Sequence, residues 1–304
     1  MNKYEPDELL NLAIMSKTPY VIVEGVDDLR IYEGVANSAN IVCEIYSVDM
    51  LEGLSGGNDG VVQALKNIEA LAMPAGKSAG QYIVGIIDRD AKYFRGEIPA
   101  LASIFSLNYY SIESHFVNKF SIRSVVNRLT RSPSAIEIDV ESIYLRVEEK
   151  VYDVYYFSLD ALKGAVDPGY QSIIGYSSSV GRRKDKKTIA DLQLRKADLD
   201  AFAAVFRLTP KIDSLRLFVK GKWLLTVYAE ELFFEIEQLV SKCKNSAILQ
   251  CRVCKYDNRA PCLFQMRDGL NKKSLYTILQ DFFEMPEFEY IRDKLKLVAG
   301  TAAL

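Results

Sequence analysis

A chain of 304 residues has room for one large or two modest domains, and its formal charge of −2 excludes a global positive field for nucleic acid. No apolar run is long enough to span a bilayer, and the N-terminal sequence lacks the basic and apolar regions of a signal peptide. Five cysteines, an odd number, fit reduced cytosolic thiols better than a disulfide framework, so we expect a cytoplasmic protein without membrane contact.

The first third of the chain alternates patterns typical of strands and helices. Four short apolar runs predict strands: "YVIVE", "IVCEIYSV", "QYIVGIID" and "SIFSLNYYSI". Helical patterns separate the first three of them, at "DDLRIYEGVANSA" and "DGVVQALKNIEALAM". Because apolar strands separated by helices favour a parallel sheet covered on both faces, we predict an α/β domain over residues 1–125. Right-handed crossovers would place the carboxyl ends of these strands along one edge.

From about Ser134 the apolar residues change to the three-to-four spacing of amphipathic helices. This spacing is found in "AIEIDVESIYLRVEEKVYDVYYFSLDALK", "YAEELFFEIEQLVSKC", "SLYTILQDFF" and "FEYIRDKLKLV". The stretch "SLRLFV" between them is predicted to be extended. We therefore predict a mainly helical domain over residues 126–304, which would serve contacts with substrate, a partner or a second copy of the chain.

Carboxylates follow three of the predicted strands. Glu24 follows the first, Asp88 and Asp90 follow the third, and Glu113 follows the fourth. Because ligands of open α/β sheets bind beyond the carboxyl ends of the strands, we expect these acids to converge. Their mutual repulsion would need a cation, and Mg²⁺ or Mn²⁺ prefers such oxygen ligands. The sequence therefore predicts a divalent metal site at this edge.

The residues beside these acids have both structural and functional interpretations. Asp27 and Asp28 are predicted to cap a helix or to lie at the edge of the site. Gly25 lacks a Cβ, which would let a backbone turn or a phosphate approach closely. His115, the only histidine, would either contact phosphate at the site edge or serve as a packing residue.

These motifs resemble those of the TOPRIM domain, which topoisomerases, primases and OLD-type nucleases share. The resemblance is carried by "VEGVDD" and by "DRD" after a later apolar strand. The stretch "YYSIESHFVN" is similar to a motif of stand-alone, OLD-like TOPRIM proteins. The layout of a TOPRIM unit and then a helical domain is similar to that of AriB-type effectors of the PARIS anti-phage system. The resemblance implies a Rossmann-like fold for the first domain.

The resemblance also implies roles for the acids. Glu24 would be the general acid/base or a metal-bridging group, Asp88 and Asp90 would bind Mg²⁺, and Glu113 would be a further ligand. The chain lacks room for the extra domains of a topoisomerase and shows no modules of a primase. Metal-dependent hydrolysis of phosphodiester bonds is the activity that the resemblance then implies.

The AriB-type effectors imply a biological role as well. Such a nuclease would be a toxin in phage defence that cleaves cellular nucleic acid, with RNA, and transfer RNA in particular, favoured over DNA. A separate ABC/OLD-type ATPase such as AriA would hold and release it, and a homodimer is compatible with action on two strands. Two alternatives stay open: a non-catalytic TOPRIM scaffold in an ATPase complex, and another Mg²⁺-dependent phosphotransfer enzyme.

A basic run, "GRRKDKK", lies in a stretch with the composition of a polar loop. Its cations could grip nucleic acid through phosphates or contact a partner, and the alternative is a solvated loop. These cations are Arg182, Arg183, Lys184, Lys186 and Lys187.

Four cysteines follow the spacing C-x7-C-x2-C-x7-C, and they could hold a structural Zn²⁺. They are Cys243, Cys251, Cys254 and Cys262. The alternative is that they are isolated, buried thiols that pack as small apolar residues.

Two glycine-containing stretches resemble phosphate loops only in part. In "AMPAGKSAG" the Gly-Lys-Ser tail of a P-loop is present, but Leu71 occupies the position of its first glycine, so we predict a surface turn. In "SGGNDG" we predict a turn with Asn58 or Asp59 as the helix N-cap, with a phosphate cradle as the alternative.

Overall fold

The structure, a computed structural model, describes residues 3–72 and 78–302. Within these ranges the chain forms a four-stranded parallel sheet and 14 α-helices. The strands are β1 (Tyr20–Val23), β2 (Glu44–Ser47), β3 (Ile83–Ile87) and β4 (Ile104–Ser106). The helices are α1 (Pro6–Ser16), α2 (Val26–Ser38), α3 (Asn58–Ala72), α4 (Asp90–Arg95), α5 (Ile122–Leu129), α6 (Val140–Lys150), α7 (Asp153–Val166), α8 (Lys186–Leu194), α9 (Lys196–Phe206), α10 (Ile212–Phe218), α11 (Gly221–Lys244), α12 (Arg252–Tyr256), α13 (Lys272–Leu279) and α14 (Glu289–Ala302). This architecture confirms the predicted α/β class with a parallel sheet. The surface turn predicted for the Gly-Lys-Ser stretch cannot be compared with the structure, because Gly76 and Lys77 lie outside the described residues.

The sheet has the strand order β2-β1-β3-β4, and all neighbouring strands are parallel. Tyr20 of β1 lies opposite Glu44 on one side and Ile83 on the other. Every residue of the central strands β1 and β3 is buried, as expected for continuous apolar runs. The strand order changes direction between β1 and β3, so the carboxyl ends of these two strands form the switch point of the sheet.

Helices cover both faces of the sheet. On one face, Ile22 of β1 and Ile87 of β3 pack in a core with apolar side chains of α1 and α3. Val21 and Val23 point to the opposite face, because side chains alternate along a strand. Helix α2 contacts β1 and β2, and α14 in turn contacts α2. These helices therefore hold the two central strands from both sides.

The contacts divide the chain into two compact units, one of which is discontinuous in sequence. The units are Met1–Ile112 with Phe283–Leu304, and Glu113–Phe282. The predicted ranges, 1–125 and 126–304, place residues 113–125 and 283–304 differently. The apolar periodicity of α14 indicated a buried helical face, but it carried no information about which unit that face would cover.

Helices α5 to α13 build the second unit, in which α11 packs against α6 and α13, and α7 packs against α9. The extended structure predicted for "SLRLFV" is wrong, since its first five residues lie in α10. Ile212, Leu215 and Phe218 of that helix are buried at a helical spacing. Among the described residues, no helix combines the length and the apolar character needed to cross a membrane.

A buried carboxylate ties α6 to α11 within the second unit. Glu235 of α11 accepts hydrogen bonds from Arg146 Nε at 2.8 Å, from Lys150 Nζ at 2.6 Å and from Lys242 Nζ at 2.7 Å. Burial acts to raise the pKa of Glu235, but these hydrogen bonds outweigh it and lower the pKa to about 2. Glu235 is therefore a charged group that the fold stabilises.

Candidate active site

The first residues after the two central strands meet at the switch point. Glu24 follows β1, and Asp88 follows β3. The backbone N–H of Asp88 donates a hydrogen bond to Glu24 Oε1 at 2.8 Å. Since β1 and β3 are parallel neighbours, the shared direction of the strands brings both residues to one edge. The sequence predicted this convergence, and the structure shows it for these two residues.

Asp90 is held near the same edge by Tyr110. The N–H of Asp90 donates to the carbonyl oxygen of Tyr110 at 3.0 Å, and the Tyr110 hydroxyl donates to Asp90 Oδ1 at 3.0 Å. Asp90 has a φ of 53°, in the left-handed region, which costs a residue with a Cβ about 1 kcal/mol. Aspartate is among the residues that adopt this conformation most readily. The two contacts with Tyr110 offset the cost and fix the position of the carboxylate.

The protonation equilibrium of the Glu24 carboxyl group is shifted towards the protonated form. Burial raises the pKa of Glu24 to about 7, and the negative charges of Asp28 and Asp90 act in the same direction. The Asp88 N–H and the positive charge of Lys92 oppose this shift without cancelling it. A carboxyl group that is about half protonated near neutral pH can both accept and donate a proton. This property suits a general acid/base.

Tyr32 of α2 belongs to the same electrostatic environment. Its side chain is buried, and burial, followed by the charges of Asp88 and Asp28, raises the pKa of Tyr32 well above its usual value. The phenol therefore stays neutral beside the acids. Sequence reasoning missed this residue, although Tyr32 lies four residues after Asp28 and so shares its helical face.

The glycine-containing stretch "SGGNDG" lies against the ends of β1 and β3. The N–H of Gly57 donates to the carbonyl oxygen of Glu24 at 3.2 Å, and Asn58 Nδ2 donates to the carbonyl oxygen of Asp88 at 3.3 Å. Gly60 is required here, because a Cβ would lie 1.8 Å from the carbonyl oxygen of Ser55. Asn58 begins α3 and bonds to Asp88, which differs from the N-cap role predicted for it.

One polar atom of this stretch is left without a partner. Asn58 is 7% exposed, and among the described residues its Oδ1 has no hydrogen-bond partner. A buried carbonyl oxygen in this state costs about 1–3 kcal/mol, so it favours an additional donor or cation at this edge.

Lys92, in the first turn of α4, brings a positive charge to the site. Its Nζ lies 2.5 Å from Oδ1 of the exposed Asp59, and its charge lowers the pKa of Glu24. The sequence offered one unused signal, since Lys92 lies two residues after Asp90.

Gly25 and the two aspartates after it are placed at the start of α2. The N–H of Gly25 donates to Asp28 Oδ2 at 3.1 Å, so Asp28 caps the helix. Helix capping was one of the two roles predicted for Asp28. Asp27 is exposed. A Cβ at Gly25 would meet its nearest atom, Asp28 Oδ2, at an ordinary 3.6 Å. Packing within the protein therefore does not require a glycine at this position.

Glu113 and His115 lie in the 3-10 helix Ile112–Phe116 and are both buried. The prediction that the fourth strand leads directly to Glu113 is wrong, because β4 ends at Ser106. Both residues belong to the second unit. Their roles as metal ligand and site-edge residue stay predictions.

The basic run is mostly helical, so the prediction of a polar loop is wrong for it. Val180–Lys184 forms a 3-10 helix, and Lys186 begins α8. Arg183 is 4% exposed, and it donates to Asp153 Oδ2 at 2.9 Å and to Glu230 Oε2 at 2.8 Å. Its guanidinium is therefore engaged inside the unit and is not available to nucleic acid.

The remaining cations of the run are more accessible. Lys184 pairs with Glu230 at 3.0 Å but stays exposed, and Lys186 and Lys187 are exposed as well. Arg182 is partly buried and donates to Ser178 Oγ at 3.4 Å. These four residues stay candidates for contact with nucleic acid or a partner.

The four spaced cysteines converge in the second unit. The sulfur atoms of Cys243, Cys251, Cys254 and Cys262 all lie within 4.8 Å of one another, and all four residues are buried. This cluster could bind a metal ion such as Zn²⁺. Cys243 lies near the end of α11, and this position places its sulfur beside the other three.

Neither protein-family models nor curated proteins gave a match to this chain.

Proposed function

We propose that this protein is a Mg²⁺-dependent endonuclease of the TOPRIM type that hydrolyses phosphodiester bonds in cellular nucleic acid. The observation that carries the proposal is the hydrogen bond between Glu24 and the Asp88 N–H at the switch point. This hydrogen bond holds the carboxyl group of Glu24, whose pKa is raised to about 7, at the edge of the sheet where Asp90 also lies. Such an edge is where open α/β sheets bind ligands.

The donor set at this edge fits Mg²⁺ or Mn²⁺. Asp88 and Asp90 supply carboxylate oxygens. Asn58 supplies a neutral oxygen, its Oδ1, which has no hydrogen-bond partner among the described residues. Hard divalent ions prefer such oxygens and keep several waters when bound. When bound, the ion would supply Lewis acidity towards a phosphate and a bound water of lowered pKa.

The chain's own groups would handle charge and protons. Glu24 can take up or release a proton at its carboxyl oxygens near neutral pH. Lys92, beside Asp59 in the rim of the site, would attract a phosphate electrostatically. Tyr110 holds Asp90 in place through its backbone and its hydroxyl group. The contacts of Lys92 with Asp59 and of Tyr110 with Asp90 are present without a substrate.

The substrate class and the biological role rest on the resemblance to AriB-type effectors. It favours RNA, transfer RNA in particular, and a toxic effector in anti-phage defence that a separate ABC/OLD-type ATPase controls. Arg182, Lys184, Lys186 and Lys187 would contact the nucleic-acid backbone or that partner. A homodimer would present two sites to two strands of a substrate.

The test compares wild type with Glu24→Gln, Asp88→Asn and a matched control, Asp27→Asn. The control removes one negative charge from an exposed position in the same segment. Labelled transfer RNA, other RNA and duplex DNA are incubated with each protein in Mg²⁺, Mn²⁺ or EDTA. We expect Glu24→Gln to lose about 100-fold or more of the cleavage rate, which is typical for a general acid/base. Asp27→Asn should cleave as wild type does.

Thermal unfolding with and without Mg²⁺ gives a readout that is independent of cleavage. Mg²⁺ should raise the melting temperature of wild type and Asp27→Asn, and should have a much smaller effect on Asp88→Asn, because a ligand stabilises only the state that binds it. Because the proposed role includes release of the nuclease by a partner, toxicity on expression is compared for the same proteins. Full activity and full toxicity of Glu24→Gln would contradict the proposed site. Hydrolysis of small phosphomonoesters without cleavage of nucleic acid would favour another phosphotransfer reaction, and binding of an ATPase partner without any hydrolysis would favour a scaffold.

A further inference from the structure

The four-cysteine cluster has the geometry of a metal-thiolate centre. Its sulfurs are separated by at most 4.8 Å, and Sγ of Cys251 and Sγ of Cys262 are 3.9 Å apart. A tetrahedral Zn²⁺ with bonds of about 2.3 Å to sulfur would place neighbouring sulfurs about 3.8 Å apart. We propose that Cys243, Cys251, Cys254 and Cys262 bind one Zn²⁺ ion.

Backbone hydrogen bonds to sulfur support this assignment independently of the distances. The Cys251 N–H lies 3.2 Å from Sγ of Cys243, and the Cys254 N–H lies 3.5 Å from Sγ of Cys251. The Phe264 N–H lies 3.4 Å from Sγ of Cys262. A neutral thiol is a weak acceptor, whereas a thiolate gains from each such donor. The backbone therefore places N–H donors beside three of the four sulfurs, as metal-bound thiolates would require.

The environment distinguishes a structural centre from a catalytic one. The four cysteines are between 0% and 3% exposed, and together they provide all four ligands of a tetrahedron. A catalytic Zn²⁺ keeps one position open for water or substrate, which this ligand set does not offer. The Zn²⁺ is therefore structural, and its role is separate from the acids at the switch point.

The position of the cluster explains what the ion would hold together. Cys243 lies in the last turn of α11, Cys251 and Cys254 lie at the start of α12, and Cys262 follows in a loop. Between α11 and α13 the only α-helix among the described residues is the five-residue α12. Such a segment buries little through regular structure, so a metal is an effective staple for it.

The stapled loop is also joined to the chain after α5. The Arg131 N–H donates to the carbonyl oxygen of Gln265 at 3.0 Å, and the Arg267 N–H donates to the carbonyl oxygen of Leu129 at 2.8 Å. These bonds form a short antiparallel bridge around Thr130 and Met266. Loss of the ion should therefore loosen both the segment between α11 and α13 and its pairing with the end of α5.

The experiment measures metal content in the full chain, produced without an affinity tag in zinc-containing medium and purified without chelators. Elemental analysis should find about one Zn²⁺ per chain in wild type. Cys251→Ser and Cys254→Ser should lose most of it. Cys43→Ser is the matched control, because Cys43 lies outside the cluster and should leave the zinc content unchanged. Wild type without near-stoichiometric zinc would overturn the proposal.

Two measurements on wild type keep the test decisive if the cluster variants fail to fold. Replacement of the metal by Co²⁺ should give the strong visible absorption of tetrahedral cobalt-thiolate centres, and its absence would overturn the assignment. Under native conditions a thiol reagent should react rapidly with one cysteine, and with all five after the zinc is removed under denaturing conditions. Recovery of a disulfide between cluster cysteines in freshly purified protein would instead show a redox pair. Glu24→Gln should retain full zinc, which separates this proposal from the proposed nuclease activity.

Discussion

Replacement of the residue at the centre of the candidate site is expected to stabilise the protein at alkaline pH. Burial raises the pKa of Glu24 from 4.5 to about 7, so the folded protein prefers the protonated form. As the pH rises from 4.5 to 7, the unfolded chain loses this proton first, and the free energy of unfolding falls. The difference of about 2.5 units corresponds to about 3 kcal/mol at pH 8, and to almost nothing at pH 4.

Glu24→Gln removes this cost and keeps an oxygen that can accept from the Asp88 N–H. We therefore expect the variant to be more stable than wild type at pH 8, by up to about 3 kcal/mol, and to match wild type at pH 4. Asp27→Asn, a charge change of the same kind at an exposed position, should stay within about 0.5 kcal/mol of wild type.

The assay must report on the unit that contains Glu24. The only tryptophan, Trp223, lies in the second unit, so its fluorescence would follow the wrong part of the chain. Hydrogen exchange of the amides of β1 and β3, corrected for the intrinsic rate at each pH, reports on the right one. Excess Mg²⁺ should narrow the difference at pH 8, because a nearby cation favours the charged carboxylate.

Two results would refute this reasoning. The first is exchange in β1 and β3 of Glu24→Gln that is no slower than in wild type at pH 8. The second is a stabilisation of equal size at pH 4 and pH 8, which would point to altered packing and not to a proton equilibrium.

Three further predictions concern one contact of the second unit and two residues beside the candidate site. Glu235→Gln should destabilise the second unit by about 3 kcal/mol or more at neutral pH, because it leaves Arg146 and Lys150 without their carboxylate. The free energy of unfolding of wild type should itself fall by about 3 kcal/mol as the pH falls from 4.5 towards 2. Trp223 fluorescence during urea unfolding measures both effects. Gly60→Ala should lower stability by more than about 2 kcal/mol, because its Cβ meets the carbonyl oxygen of Ser55, and soluble expression with a melting temperature equal to wild type would contradict this. Lys92→Met should raise the pKa of Glu24 further, as followed by NMR of its carboxyl carbon, whereas Lys66→Met at an exposed position of α3 should leave that titration unchanged.

The sequence by itself determined the elements whose pattern is local. Continuous apolar runs with helices between them predicted the parallel sheet, because strands buried on both faces have no polar alternation. The same runs located Glu24 and Asp88, since the residue after a parallel strand lies at the ligand-binding edge whatever the rest of the fold does. The spacing of apolar residues likewise predicted α6, α7, α11 and α13 of the second unit.

Tertiary structure decided which surfaces meet. The amphipathic face of α14 covers α2, and Arg183 is buried between Asp153 and Glu230, although its sequence context is that of a solvated run. Tyr32 and Asn58 join the candidate site from other elements. The spacing of the four cysteines, which lie within 20 residues, left a metal site and isolated thiols as alternatives, and the tertiary structure shows that their sulfurs converge. Periodicity records whether a side chain is buried, but its partner is set by contacts between residues far apart in the chain, and these leave no local pattern.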